Sequence, residues 1–174
     1  MIMPLSKIDL EVINSIKIIF FDFDGVFTDN YVYVSEEGTE SIKSSRADGL
    51  GISRLQSLGI ETFIVSTEKN NVVQKRAQKL NIKCCHGVEN KAHELEKICK
   101  NLSIDPIQTM FVGNDINDIP AFEYVGVPVG VADSFKEIHS YISYITDREG
   151  GNGAVREVCD LFYNLLKGKG DSFE

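Results

Sequence analysis

Two aspartates stand one residue apart at the end of an apolar run, in Asp22-Phe23-Asp24-Gly25 after Ile16–Phe21. In an extended chain residues i and i+2 share a face, so both carboxylates point the same way. Like charges held that close are unfavourable without a cation or a shared proton. A hard, oxygen-seeking ion such as Mg²⁺ meets that need. An EF-hand calcium loop fits less well: it wants three acidic or amide positions before its glycine and helical flanks, whereas Gly25 directly follows the second Asp. Further along, Ser66 and Thr67 follow the run Glu61–Val65 and can donate to a phosphoryl oxygen, although a hydroxyl there also caps helices. Lys91 precedes a helical pattern, and Gly113-Asn114-Asp115-Ile116-Asn117-Asp118 follows Met110-Phe111-Val112. A carboxylate pair, a hydroxyl, a lysine and a second acidic loop form a set suited to phosphoryl transfer, stronger together than any member alone.

Something must bring these residues together. Ile16–Phe21, Glu61–Ser66, Lys83–Cys85, Thr109–Val112, Pro128–Val131 and Tyr144–Ile145 read as strands. Helical spacing marks Gly49–Leu58, Asn70–Leu80, Lys91–Leu102, Ile116–Val125, a stretch near Phe135–Ser140, and Gly153–Leu166. Tyr31–Val34 and Glu40–Lys43 flank Glu36-Glu37-Gly38 and read as a hairpin. Alternating β and α elements with wholly apolar strands predict a Rossmann-like, doubly wound parallel α/β sheet. Such sheets bind ligands at the carboxyl ends of their strands, and that is where the polar residues stand.

At 174 residues the chain has room for one domain, 1–174, with a hairpin insertion at about 30–45 and a tail at about 150–174. Residues 168–174 are expected to fray. A formal charge of -8 disfavours nucleic acid and anionic membrane as partners. No apolar run reaches the roughly 18–20 residues that span a bilayer. Cys84, Cys85, Cys99 and Cys159 form neither a disulfide framework nor a zinc motif and fit reduced thiols in a cytoplasmic protein. Met1–Lys17 does not read as a signal peptide. His86, His93 and His139 lack metal-ligand spacing.

The order and spacing of DFDGVFTD, Ser66, Lys91 and GNDINDIPAF resemble the four signature motifs of the haloacid dehalogenase superfamily of phosphohydrolases, from about Ile16 to Leu166. The resemblance implies that Asp22 attacks phosphorus and becomes an aspartyl phosphate, with Asp24 as general acid and then base. It implies Mg²⁺ held by Asp22, the Asp24 carbonyl and Asn114, with Asp115 and Asp118 supporting. Ser66, Thr67 and Lys91 would hold the phosphoryl oxygens. The family usually has Asp where this chain has Asn114, which predicts weaker metal binding.

The insert between the first two motifs is only the hairpin, and the gap between the second and third is short too, so no cap domain covers the site. Capless chains with this hairpin and the tail Gly150-Gly151-Asn152-Gly153-Ala154-Val155-Arg156-Glu157 resemble the 3-deoxy-D-manno-octulosonate 8-phosphate phosphatases. Their relatives act on nine-carbon, sialic-acid-type ulosonate 9-phosphates. This implies a sugar-acid or lipopolysaccharide pathway, a homotetramer built through the hairpins, and a possible cytidylyltransferase partner. The resemblance also implies that tail residues reach a neighbouring subunit's site, with Arg156 the expected ligand for a substrate carboxylate. Glu68 stands where eight-carbon enzymes carry Gly-Arg; with Lys79 it leans toward a nine-carbon substrate. The alternative is a non-catalytic assembly or regulatory domain accompanying a sugar-acid cytidylyltransferase.

Overall fold

The computed structural model describes residues 10–167. The expected fraying of 168–174 lies outside them, as does most of the segment weighed as a leader.

β1 (Ile18–Phe21) is buried along its whole length. Its side chains alternate between two cores, as the two-residue period of a strand demands. Ile19 and Phe21 pack with residues of α2 (Ala47–Ser57), α3 (Val72–Leu80) and α6 (Ala154–Lys167). Ile18 and Phe20 pack with α4 (Lys91–Leu102) and α5 (Ile119–Tyr124). This explains why the strands read as unbroken apolar runs: both faces are covered.

Six strands form one parallel sheet in the order β5-β4-β1-β6-β7-β8. They are β1, β4 (Glu61–Val65), β5 (Lys83–Cys85), β6 (Thr109–Gly113), β7 (Val127–Gly130) and β8 (Tyr144–Ile145). Phe21 pairs with Ile64 on one side and Val112 on the other. The residues following β1, β4 and β6 therefore meet at one edge, where the strand order reverses. The predicted Rossmann-like α/β fold without a cap is the fold observed. β2 (Thr28–Val34) and β3 (Glu40–Ser44) form the predicted hairpin as a separate two-stranded sheet.

Several boundaries differ from the reading of the sequence. α1 (Leu10–Ser15) was not anticipated. The pattern over 116–125 divides into a 3-10 turn, Ile116–Asp118, and α5, because Pro120 lacks the N–H that would carry the helix through. The stretch near 135–140 is only a 3-10 turn, Lys136–Ile138. α6 is amphipathic as expected: Ala154, Val155, Val158, Cys159 and Phe162 are buried. Among the described residues no helix is long and apolar enough to cross a membrane.

Candidate active site

Asp22 follows β1 directly, and its backbone N–H donates to Val112 O of β6. Its side chain is nearly buried. Oδ1 accepts from Phe23 N at 2.7 Å and from Lys91 Nζ at 2.7 Å. Both donors converge on Oδ1, so Oδ2 has no protein donor among the described residues and remains the oxygen able to attack an electrophile. Burial raises the Asp22 carboxyl to about 7; the charge of Asp118 adds to this, and Lys91 and the Phe23 N–H oppose it.

Lys91 is the first residue of α4, whose start is fixed by Asn90 Oδ1 accepting from His93 N at 3.1 Å. Its ammonium is buried between Asp22 and Asp118, 2.6 Å from Asp118 Oδ1. Burial alone would lower its pKa; the two carboxylates outweigh that and raise it. The Asp118 partnership went unseen in the sequence, where Asp118 was read as supporting the metal. Asp118 Oδ2 also accepts from the backbone N–H groups of Asn114 (2.9 Å) and Asp115 (3.3 Å). Asp118 thus shapes the loop after β6 and anchors Lys91. Asp115 is spent locally, capping the following 3-10 turn by accepting from Ile116 N at 2.7 Å.

Asn114 Oδ1 is buried and has no hydrogen-bond partner. An orphaned, buried oxygen acceptor on the loop after β6 is what a hard cation satisfies. Gly25 makes the approach possible: a Cβ there would lie 2.0 Å from Asn114 Nδ2, and its φ is +77°. Asp22, Asn114 and the Asp24 carbonyl suit Mg²⁺ by donor type. No cluster of three His, Cys, Asp or Glu side chains able to hold a metal occurs among the described residues, so phosphate oxygens and water would complete the shell.

Asp24 is partly exposed, and its carboxyl is raised by burial, then by the charges of Glu68 and Glu40, against the pull of Lys91. A carboxyl that holds its proton more tightly than usual is better suited to general-acid work. Ser66 is buried after β4; its Oγ accepts from Glu68 N at 3.1 Å, leaving its O–H proton for another acceptor. Thr67 is exposed at the rim. Glu68 Oε1 accepts from Asn70 N at 2.6 Å, and Asn70 Nδ2 donates to Glu40 Oε2 at 3.2 Å. Glu40, on β3, is a mouth residue that sequence reasoning missed, because only the fold of the hairpin brings it back over the sheet.

Two expected substrate ligands are not brought to this edge. Lys79 lies exposed in the last turn of α3. That helix starts at the carboxyl end of β4 and returns toward its start, where Gln56 Nε2 bonds both Asn81 O and Thr62 Oγ1. Arg156 faces α2: its Nε donates to Asp160 Oδ2 at 2.6 Å, and the same carboxylate binds Arg54. A Cβ on Gly51 of α2 would lie 3.0 Å from Arg156 Cδ. The tail motif acts instead through its glycines. A Cβ on Gly150 would overlap Gly25 O at 1.9 Å, and Gly151 N donates to Val26 O at 3.0 Å, so the loop lies directly on the Asp24–Thr28 turn. Glu157 holds that loop by accepting from Tyr144 Oη, Asp147 N and Arg148 N.

This fold, with a buried carboxylate and lysine at the end of β1, defines a hydrolase of the haloacid dehalogenase type. Residues 66–158 match the model of the haloacid dehalogenase-like hydrolases, and the chain belongs to that family. It is 34% identical to the 3-deoxy-D-manno-octulosonate 8-phosphate phosphatase KdsC of Salmonella typhi, covering 97% of this chain and 89% of the relative. The phosphatase of the same name from Yersinia pestis superposes with a TM-score of 0.88 at 29% identity, over 95% of this chain and 90% of that one. The Moraxella catarrhalis phosphatase, solved with magnesium, phosphate and KDO, gives a TM-score of 0.88 at 29% identity, over 98% and 100%. Family and relatives together bear out a phosphoric monoester hydrolase.

Proposed function

We propose that this chain is a Mg²⁺-dependent phosphatase of 3-deoxy-2-ulosonic acid phosphates, with octulosonate 8-phosphate as its first substrate. The observation that carries the reading is the Asp22–Lys91–Asp118 triplet beside the orphaned Asn114 Oδ1. The names of the relatives supply the substrate. With Lys79 away from the mouth, the lean to a nine-carbon substrate rests on Glu68 alone.

Asp22 Oδ2 attacks phosphorus, and Asp24 gives its proton to the departing sugar oxygen. Asp24 then takes a proton from the water that releases phosphate from Asp22. Lys91 and the Ser66 hydroxyl hold the equatorial oxygens as charge develops on them. Bound Mg²⁺ would neutralise phosphoryl charge and draw the substrate toward Asp22. Asp118 keeps Lys91 charged and aimed throughout.

An open site on a capless chain suits closure by further copies. Tyr31, Val32, Tyr33 and Val34 are 73%, 54%, 62% and 62% exposed along β2 of the hairpin. Such a patch on a two-stranded sheet favours burial against other copies, consistent with the expected tetramer. Retention of a nucleophile, acid, hydroxyl and lysine in one place argues against a purely structural domain partnering a cytidylyltransferase. Phosphate release from a panel of eight- and nine-carbon ulosonate phosphates and common sugar phosphates tests the reading. Turnover of an ulosonate phosphate that needs Mg²⁺ and vanishes in Asp22→Asn supports it; silence on every ulosonate phosphate refutes the substrate class.

A further inference from the structure

Asp48 plays no part in the mechanism above, yet it is a buried carboxylate outside the site. It lies in the first turn of α2, 1% exposed, and neither carboxylate oxygen has a hydrogen-bond partner. Burial raises its carboxyl to about 7; the charge of Arg76, then the nearby backbone N–H of Arg156 and its charge, act the other way. The groups facing it are Arg76 on α3, and Arg156 and Cys159 on α6. A buried, unsatisfied carboxylate is strongly unfavourable unless a partner is at hand.

The partner is one helix away. Arg76 Nε is also buried without an acceptor, while Arg76 Nη2 donates to Ser45 O at 2.5 Å. Each group has what the other lacks. Ser45 is the link between β3 and α2, the neck from which the hairpin projects. The same hairpin carries Glu40, tied to Asn70 at the start of α3, and Asn70 N holds Glu68. α3 and the turn before it therefore hold the hairpin at two points, Glu40 through Asn70 and the neck at Ser45 through Arg76.

We propose that Asp48 is a positioning residue: it closes onto Arg76 as a buried ion pair that fixes the hairpin neck and, through it, Glu40 over Asp24. The pair sets how the mouth receives the sugar part of the substrate and leaves the phosphoryl chemistry untouched. This inference rests on the phosphatase reading above.

The test compares full-length wild type, Asp48→Asn, Arg76→Gln and the double variant with Mg²⁺, on octulosonate 8-phosphate and on p-nitrophenyl phosphate. Each single variant is expected to raise KM for the sugar-acid phosphate about tenfold, with kcat and the p-nitrophenyl phosphate rate within about threefold of wild type. The double variant should be no worse than either single one, since one pair is lost in all three. Amide hydrogen exchange over residues 40–46 should quicken in each variant. Equal losses on both substrates, additive effects, or unchanged exchange at the neck would each overturn the proposal. Should Asp48→Asn fail to fold, Arg76→Gln decides by the same readouts. Should wild type ignore every ulosonate phosphate, the substrate class fails separately, and exchange at the neck still judges the pair.

Discussion

Lys91 Nζ and Asp22 Oδ1 lie 2.7 Å apart, with the lysine side chain 1% exposed and the aspartate 6%. The lysine reaches Asp22 from the start of α4 and simultaneously meets Asp118 beyond β6. One ammonium thus ties three strand-end segments together. Removing it would leave two buried carboxylates facing each other. Lys91→Met is expected to abolish phosphate release and to destabilise the fold by about 3–5 kcal/mol, the usual effect of breaking a buried pair. Thermal melts and turnover check both parts, and Asp118→Asn added to Lys91→Met should recover part of the stability but none of the activity.

Asn114 offers the cation a neutral oxygen. Asn114→Asp is expected to tighten Mg²⁺ by about tenfold or more, since it would add a formal charge to the proposed ligand set. Titration calorimetry with Mg²⁺ measures it. Unchanged or weaker affinity in Asn114→Asp would remove Asn114 from the metal shell.

Gly25 is a fitting point of the site. Gly25→Ala puts a Cβ within 2.0 Å of Asn114 Nδ2 at a φ of +77°. The alanine must displace the Asn114 amide or move the turn that carries Asp24. Turnover is expected to fall by about a hundredfold, with Mg²⁺ affinity falling alongside it, because small misplacements at a reacting centre are amplified.

The hairpin predicts assembly. Tyr31→Ser with Tyr33→Ser removes the two most exposed aromatic side chains of β2. Light scattering should show a lower solution mass than wild type. A fully active wild-type monomer would end the oligomer reading.

Most of the site was legible as sequence, and for one reason. Strands of a parallel sheet all point one way, so residues following Ile18–Phe21, Glu61–Val65 and Thr109–Gly113 must share an edge. The apolar runs announce the strands, and Asp22, Asp24, Ser66 and Asn114 then fall into place by order alone. The sequence thus determined the α/β sheet, the missing cap and the candidate catalytic group. It could not determine where long side chains end or which face of a helix they take. Lys79 ends away from the mouth of its own chain because α3 carries it back toward the opposite edge, and Arg156 bonds Asp160 on its own helix, so a role for it at a neighbour's site is decided by assembly. Lys91 gained Asp118, and Glu40 reached the mouth, only through packing between segments far apart in the chain. Strand direction is a local, periodic property and can be read from residue order. Side-chain pairing across elements depends on how helices and hairpin dock, and only the tertiary structure decides that.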